Sequence, residues 1–219
     1  MPDWLNNITD KNILQDNMTF VSLYIAIFEN MTDYVVSNTK SFLCDWSIKD
    51  GKEIYKETIE YKGKIKNRII DEKGNKDVTK ASFLWLVDNG AITQEDYDCF
   101  LDIKKVRNRY AHELTSVIYQ GVCEPEIKLF FDMFSIYRKI GKWYFINIEA
   151  AILGEELPED LDLTEVRTGA DIMFGMILNV LYNGKSEEYK AMIEAVEKEC
   201  GWLRERNAQM DGREGKICG

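Results

Sequence analysis

The sequence has a single histidine, His112, and none of its five cysteines form a C-x-x-C pair. Protein zinc sites draw most of their ligands from these two residue types, usually at short spacings. We therefore expect no zinc site, and no other metal or cofactor. The odd cysteine count, and N-terminal residues that lack both a basic and an apolar segment, predict reduced thiols in a cytoplasmic protein without a signal peptide.

Positive charge and long apolar runs are also scarce. The chain carries a formal net charge of -10 at pH 7. Binding of nucleic acid by overall charge needs the opposite sign, so any such role must be confined to a local basic patch. The most apolar segment, residues 172–182, is too short to cross a bilayer, and we expect no membrane partner.

Helix-breaking residues are few, with three prolines and fourteen glycines among 219 residues. Apolar residues make up 45% of the chain, which is enough for a buried core. No run of alternating apolar and polar residues is long enough to predict a sheet. We therefore predict an all-α protein, a single domain over residues 1–219 built as a bundle of six to seven helices.

The first half of the chain contains one strong helical pattern. Apolar residues at steps of three and four predict a helix from Thr19 to Leu43, capped by Asn17, and a shorter helix can precede it around Trp4 to Leu14. The lysine-rich stretch that follows predicts a solvated helix near Glu53 to Tyr61 and then a mobile connection at about 62–78.

The second half contains further start and stop signals. Gly90 is a suitable C-cap for a short helix beginning at Thr79, and Thr93 followed by acidic residues predicts the start of the next helix. A long helix with a dense aromatic stripe, which we interpret as core, is predicted from Glu126 to Leu153, with Pro125 in its first turn. Beyond it we predict an acidic loop at 154–163 and C-terminal helices over 164–206.

The helix after Thr93 carries most of the chemically interesting residues. Phe100, Ile103, Arg107, Tyr110 and Leu114 share one stripe, so Arg107 occupies a position where the pattern expects an apolar side chain. A guanidinium there needs a carboxylate, a carbonyl or a phosphate as partner. His112 lies about 140° around the helix from Arg107, given roughly 3.6 residues per turn.

One chain therefore does not easily direct Arg107 and His112 at the same atom, whereas two chains can. If these helices cross at a two-fold axis, a composite cleft holds two arginines and two histidines. Imidazole can exchange protons with a 2′-hydroxyl or a leaving oxygen, and arginine can bind phosphate oxygens. Such a cleft suits metal-independent cleavage of RNA.

The segment Arg107-Asn108-Arg109-Tyr110-Ala111-His112 resembles the signature of the HEPN superfamily. That signature is an arginine, commonly followed by a polar residue, and a histidine after four to six intervening residues. The resemblance covers about residues 97–114. It implies a helical bundle, a homodimer with the motif at its interface, and metal-independent endoribonuclease activity in toxin–antitoxin, abortive-infection or antiviral defence systems.

On this resemblance Arg107 and His112 would be the catalytic pair, with Asn108 as an orienting residue. Lys104, Lys105 and Arg109 would bind the RNA backbone, although solvation alone accounts for them nearly as well. HEPN toxins paired with nucleotidyltransferase antitoxins often have a modified tyrosine two residues after the histidine. This sequence has Leu114 there, so an antitoxin or other regulatory partner would act differently.

Two other interpretations stay open. The chain can be a non-catalytic HEPN-like binding or regulatory module, in which Arg107 contacts a partner or a nucleotide phosphate. It can also be a purely structural helical protein, in which Arg107 only satisfies a helix end. A buried pair between Arg107 and a carboxylate of the same chain, together with a His112 far from any two-fold axis, would favour the binding module.

Overall fold

The computed structural model describes residues 3–49 and 52–150, together with positions 168, 169, 172, 175 and 177. Its internal contacts divide the chain into two units, Met1–Thr164 and Glu165–Gly219. The described part of the first unit contains seven α-helices, two π-helical turns and one β-hairpin. The predicted all-α class is confirmed, because the hairpin is only a small addition to a helical protein.

Two helices open the chain, α1 (Asp3–Thr9) and α2 (Lys11–Leu43). The Asp10 carboxylate caps α2 by accepting hydrogen bonds from the backbone N–H groups of residues 12 and 13. The predicted start at Thr19, and the cap assigned to Asn17, are therefore wrong. Asn17 lies inside the helix, and its side chain accepts from the Val122 N–H at 3.3 Å.

An antiparallel hairpin follows, made of β1 (Cys44–Lys49) and β2 (Lys52–Glu57). The predicted absence of a sheet, and the helix predicted near Glu53 to Tyr61, are wrong here. Asp-Gly, the dipeptide at 50–51, is a strong turn signal between strands. The lysine-rich composition favoured a solvated helix instead, because strands that are exposed on both faces lack the apolar alternation of a buried sheet.

The next segment contains a short helix and a π-helical turn, α3 (Ile59–Tyr61) and π1 (Lys62–Lys66). A turn at Gly74, where φ is +83°, lies between the bridged residues Ile70 and Lys76. The mobility of this connection stays a prediction. Helix α4 (Val78–Asp88) then ends just before Gly90, whose φ of +72° fits the predicted C-cap.

Helices α5 (Gln94–His112), α6 (Leu114–Gln120) and α7 (Glu124–Tyr144) complete the described bundle, with π2 (Phe145–Glu149) after α7. The predicted start of α5 is confirmed, because Thr93 and Asp96 form a reciprocal capping box. Pro125 lies in the first turn of α7, as predicted. The long helix predicted to continue to Leu153 instead changes to π geometry at Phe145.

The core is formed mainly by aromatic side chains where α2, α4, α5 and α7 meet. Phe83 stacks on Phe100 with ring centroids 3.7 Å apart, and Tyr24 packs edge-on against Tyr110 at 5.2 Å. The aromatic stripe of α7 is buried in part, since Phe130 is 1% exposed whereas Phe131 is 59% exposed. This packing fixes α5 between its neighbours along most of its length.

The predictions for the C-terminal part lie almost entirely outside the described residues. They concern the acidic loop at 154–163 and the helices over 164–206. The Ile172 N–H donates to the Thr168 carbonyl at 3.2 Å, a bond of the helical i to i−4 kind. None of the helices that the structure describes is both long and apolar enough to cross a membrane.

Asp77 caps α4 and links it electrostatically to α5. Its carboxylate accepts from the Lys80 backbone N–H at 2.9 Å and from the Lys104 ammonium at 3.0 Å. Partial burial acts to raise the pKa of Asp77, but these donors outweigh burial and lower it below 3.8. A lowered folded-state pKa means that the carboxylate contributes stability above the unfolded pKa, and that this contribution disappears as pH falls through the folded value.

We therefore predict a pH-dependent effect for Asp77→Asn, which removes the charge but keeps a capping oxygen. At pH 7 the variant should lose about 0.5–1 kcal/mol of unfolding free energy. The loss should shrink toward zero as pH falls below the folded-state pKa, because the wild-type carboxyl is then protonated too. Urea unfolding at a series of pH values measures this. An equal loss at neutral and strongly acid pH would contradict the electrostatic explanation.

Candidate functional site

The segment Arg107–His112, called the motif below, lies on the last turns of α5, which is anchored on both sides. Ile103 and Tyr110 are almost fully buried. The Tyr24 hydroxyl of α2 donates to the Ile103 carbonyl at 3.4 Å, and the Tyr110 hydroxyl reaches α7. Tyr110 lies in the core, as its place on the apolar stripe predicts, whereas Leu114, predicted on the same stripe, begins α6 and is exposed. The motif residues therefore project from a rigid helix, which favours precise positioning.

Arg107 is partly buried and bound within its own chain. Its guanidinium forms an ion pair with Glu29 of α2 and lies 5.6 Å from the centroid of the Phe28 ring. One terminal N–H group donates to the Asn108 side-chain oxygen at 3.1 Å. The carboxylate that a guanidinium on an apolar stripe requires is thus supplied by Glu29. The Glu29 side chain is 42% exposed, so the pair stays in contact with solvent on one side.

One donor of Arg107 is left over. Its Nε atom is buried and has no hydrogen-bond acceptor. A buried N–H without a partner costs about 1–3 kcal/mol. Arg107 is therefore held by Glu29 but is not fully satisfied by it.

His112 and Asn108 lie at the solvent side of the same helix. His112 is the last residue of α5, and both side chains are exposed. They are four positions apart and so share a helix face. The His112 side chain makes no hydrogen bond to any residue in the described part of the chain. The difference in exposure between Arg107 and His112 is the one that the helical periodicity predicts, with the arginine toward the core and the histidine away from it.

The three basic residues predicted to bind RNA each have a carboxylate partner. Their ion pairs are Lys104–Asp77 at 3.0 Å, Lys105–Asp102 at 2.8 Å, and a close contact between Arg109 and Glu126. Only Lys105 is well exposed, with 78% of its side chain accessible. The structure therefore places these residues beside the motif but leaves little free positive charge there.

Glu126 joins the ends of α5 and α7. Its carboxylate, 4% exposed, pairs with Arg109 and accepts hydrogen bonds from the Tyr110 hydroxyl at 2.9 Å and the Cys123 N–H at 3.1 Å. Burial raises the pKa of Tyr110, so its hydroxyl stays protonated as a donor. This network fixes the helix segment that precedes His112.

Sequence reasoning missed Glu29 and Glu126. The partner of Arg107 is 78 residues away, and no local pattern predicts a pairing at that separation. Glu126 did carry a signal, because an acid at the third position of a helix commonly closes a capping box. The structure has that box, with Cys123 at the cap position.

The motif thus presents a solvent-exposed imidazole beside an amide and, on a neighbouring face, a guanidinium with an unused donor. In the described residues no group of three or more histidine, cysteine or acidic side chains could hold a metal ion. Comparison of the chain with protein-family models, with curated proteins and with solved structures found no match.

Proposed function

We propose that this protein is a metal-independent endoribonuclease of the HEPN type. The observation that carries the proposal is the position of His112. It is the single histidine of the chain, exposed at the end of a well-anchored helix, and Arg107 and Asn108 precede it at the spacing of the HEPN signature. The imidazole is exposed at the end of this helix, so it is free to reach a ligand.

The proposed reaction is attack of an RNA 2′-hydroxyl on the adjacent phosphorus. His112 takes the hydroxyl proton while the new P–O2′ bond forms and the P–O5′ bond breaks. A protonated imidazole then gives a proton to the departing 5′ oxygen. The products are a 2′,3′-cyclic phosphate and a 5′-hydroxyl. Arg107 stabilises the extra negative charge of the transition state through the exposed part of its guanidinium.

Both proton transfers require two imidazoles, and the chain has one. In the proposed homodimer, the α5 ends of two chains meet at a two-fold axis, and His112 of the partner subunit supplies the second imidazole. The same arrangement would overcome the separation of about 140° between Arg107 and His112 on one helix. Asn108, bonded to Arg107 and on the face of His112, would orient the two groups.

In its biological role, such an enzyme would arrest growth or limit phage infection by cleaving RNA, as a toxin or an abortive-infection effector. An antitoxin or another regulatory partner would then hold it inactive. Leu114 stands where a modified tyrosine would be expected for control by a nucleotidyltransferase. We therefore propose control by non-covalent binding.

The ion pair between Arg107 and Glu29 favours a second candidate, a non-catalytic binding or regulatory module with the same helical architecture. In that case Arg107 would be a structural or partner-binding residue, held by a carboxylate of its own chain. Glu29 would compete with phosphate for the guanidinium, which lowers the phosphate affinity of the site. The two candidates differ in whether RNA is cut.

The deciding experiment is incubation of the purified protein with total RNA in the presence and absence of EDTA. We expect cleavage at the same rate in both, and fragments that end in cyclic phosphates, because no proposed step uses a metal ion. Size determination of the same preparation should give a dimer. RNA that stays intact at high protein concentration would reject the ribonuclease and favour the binding module. Cleavage that EDTA abolishes would reject the proposed mechanism.

A further inference from the structure

The structure raises the question of where an acidic protein could hold RNA. Because the protein has a net charge of -10, it needs a local patch of unpaired positive charge to bind RNA. The basic residues beside the motif do not provide one, because Lys104, Lys105 and Arg109 are paired with carboxylates. The same holds for Lys64 and Lys66 after the hairpin, which pair with Glu60 and Glu57.

Three lysines without an ion pair to any described residue lie on one face of the β1–β2 hairpin. The register pairs Lys49 with Lys52 and Asp45 with Lys56 across the strands. Side chains alternate between faces along a strand, and directly opposed residues share a face, so all three lysines project from the same side. Each of them is exposed, and none has a salt bridge to a described residue. We call Lys49, Lys52 and Lys56 the hairpin lysines.

This arrangement is unfavourable for the isolated hairpin. Like charges directly opposite each other destabilise a strand pair, and Lys49 and Lys52 are such a pair. Ile54, on the same face, is 44% exposed. Asp45 is the one acidic residue of this face within the two strands, and it lies at the end nearest α2. An anionic ligand would offset the repulsion between the lysines.

The hairpin also has space for an extended ligand. β1 is exposed at every position after Cys44, and the first three positions of β2 are exposed as well. A two-stranded ribbon of this kind can follow a phosphate backbone, which carries charge at regular short intervals. A compact anion would need converging donors, and the hairpin lysines are spread along the two strands.

We propose that the lysine face of the hairpin binds the RNA backbone, as an arm that holds substrate outside the cleavage site. The proposal rests on the ribonuclease function for its choice of RNA as the ligand. Its chemical basis is charge complementarity between the hairpin lysines and successive phosphates.

The arm lies at a distance from the motif. Helix α2 connects them, since Glu29 contacts Arg107 and Leu43 leads into β1. Fourteen helical residues separate Glu29 from Leu43, which corresponds to about 20 Å. Nucleotides stacked along one strand advance by about 3.4 Å each, so a dinucleotide cannot reach both places whereas a strand of about 30 nucleotides can. The arm should thus affect long substrates alone.

The test compares two triple variants with the same change of charge. One is Lys49→Gln/Lys52→Gln/Lys56→Gln, and the control replaces Lys11, Lys73 and Lys128, three exposed lysines outside the hairpin, by Gln. The probe is a fluorescent single-stranded RNA of about 30 nucleotides with 2′-O-methyl groups, which block cleavage. Its Kd is measured at several salt concentrations, and circular dichroism checks that both variants fold.

The salt slope is the slope of log Kd against the logarithm of the salt concentration. We expect it to be smaller by about 2 in the hairpin variant, because each lost lysine–phosphate contact to single-stranded RNA lowers the slope by about 0.7. Raising salt from about 50 to 200 mM should then weaken wild-type binding roughly fifteen- to twentyfold more than binding of the variant. The control should keep the wild-type slope. With unmethylated RNA, the hairpin variant should have a higher KM for the long strand and an unchanged rate on a dinucleotide.

A wild-type salt slope in the hairpin variant, or an equal decrease in the control, would overturn the proposal. The proposal would also be overturned if the hairpin variant kept RNA binding but lost binding to phosphatidylserine vesicles. The outcome is separable from that of the ribonuclease proposal. RNA cleavage that is indifferent to the hairpin lysines would reject the arm alone, and lysine-dependent binding of RNA that is never cut would reject the nuclease alone.

Discussion

Replacement of His112 by Ala should abolish RNA cleavage and leave the fold unchanged. The side chain is exposed at the end of α5 and bonds to no described residue, so its removal costs little stability. Positioned acid–base groups contribute about 10²–10⁴ to a rate. In the proposed dimer the substitution removes both imidazoles of a site, so we expect a loss toward the upper end of this range.

The measurement is the initial rate of RNA cleavage, with the unfolding free energy measured in parallel. Thr115→Ala is a suitable control, since Thr115 is also exposed and lies three residues further along. A His112→Ala protein that cuts RNA as fast as wild type in EDTA would reject the mechanism. A variant that loses both activity and stability would show that His112 has a structural role that its exposure does not suggest.

The composite nature of the site can be tested by mixing wild-type and inactive chains. Arg107→Ala should also lose cleavage, because the transition-state charge then has no guanidinium beside it. Because the proposed site needs His112 of both chains, a mixed dimer of wild type and His112→Ala lacks one imidazole and should be inactive. With equal amounts and free subunit exchange, the mixture should have about half the activity that its wild-type chains have alone. Activity equal to that of the wild-type chains alone would place a complete site in a single chain.

The sequence predicted the part of the fold that depends on local signals. Thr93, Gly90 and Pro125 mark helix ends through their own backbone and side-chain chemistry, and the structure confirms all three. The position of Tyr110 in the core followed from periodicity alone. These features need only neighbouring residues to be recognised, so one sequence is sufficient.

The errors come from interactions between distant residues. The Glu29 and Glu126 carboxylates that pair with Arg107 and Arg109 depend on how α2, α5 and α7 pack. The hairpin was missed because its strands are exposed, so they lack the apolar alternation by which strands are recognised. Lys104 and Arg109 pair with acids outside α5, which no local pattern predicts, whereas Asp102, the partner of Lys105, lies one turn back on α5. The hairpin lysines have no such partner among the described residues.

Glu126 should be the most sensitive residue for the stability of the motif region. It is almost fully buried, and three donors converge on its carboxylate: the Arg109 guanidinium, the Tyr110 hydroxyl and the Cys123 N–H. Glu126→Ala would leave the Tyr110 hydroxyl buried without an acceptor and would remove the acceptor of the part-buried Cys123 N–H. Together with the loss of the partly exposed ion pair, we expect a decrease of about 3 kcal/mol in the free energy of unfolding.

Urea unfolding at one fixed protein concentration measures this, because dimerisation would make stability depend on concentration. Glu124→Ala is the matched control, two residues earlier and exposed, and it should cost no more than about 0.5 kcal/mol. Glu126→Gln should lie between the two, since its amide oxygen can still accept from Tyr110 and Cys123. If Glu126→Ala were as stable as the control, the network would contribute little. The rigid placement of the helix end before His112 would then have to come from the aromatic core alone.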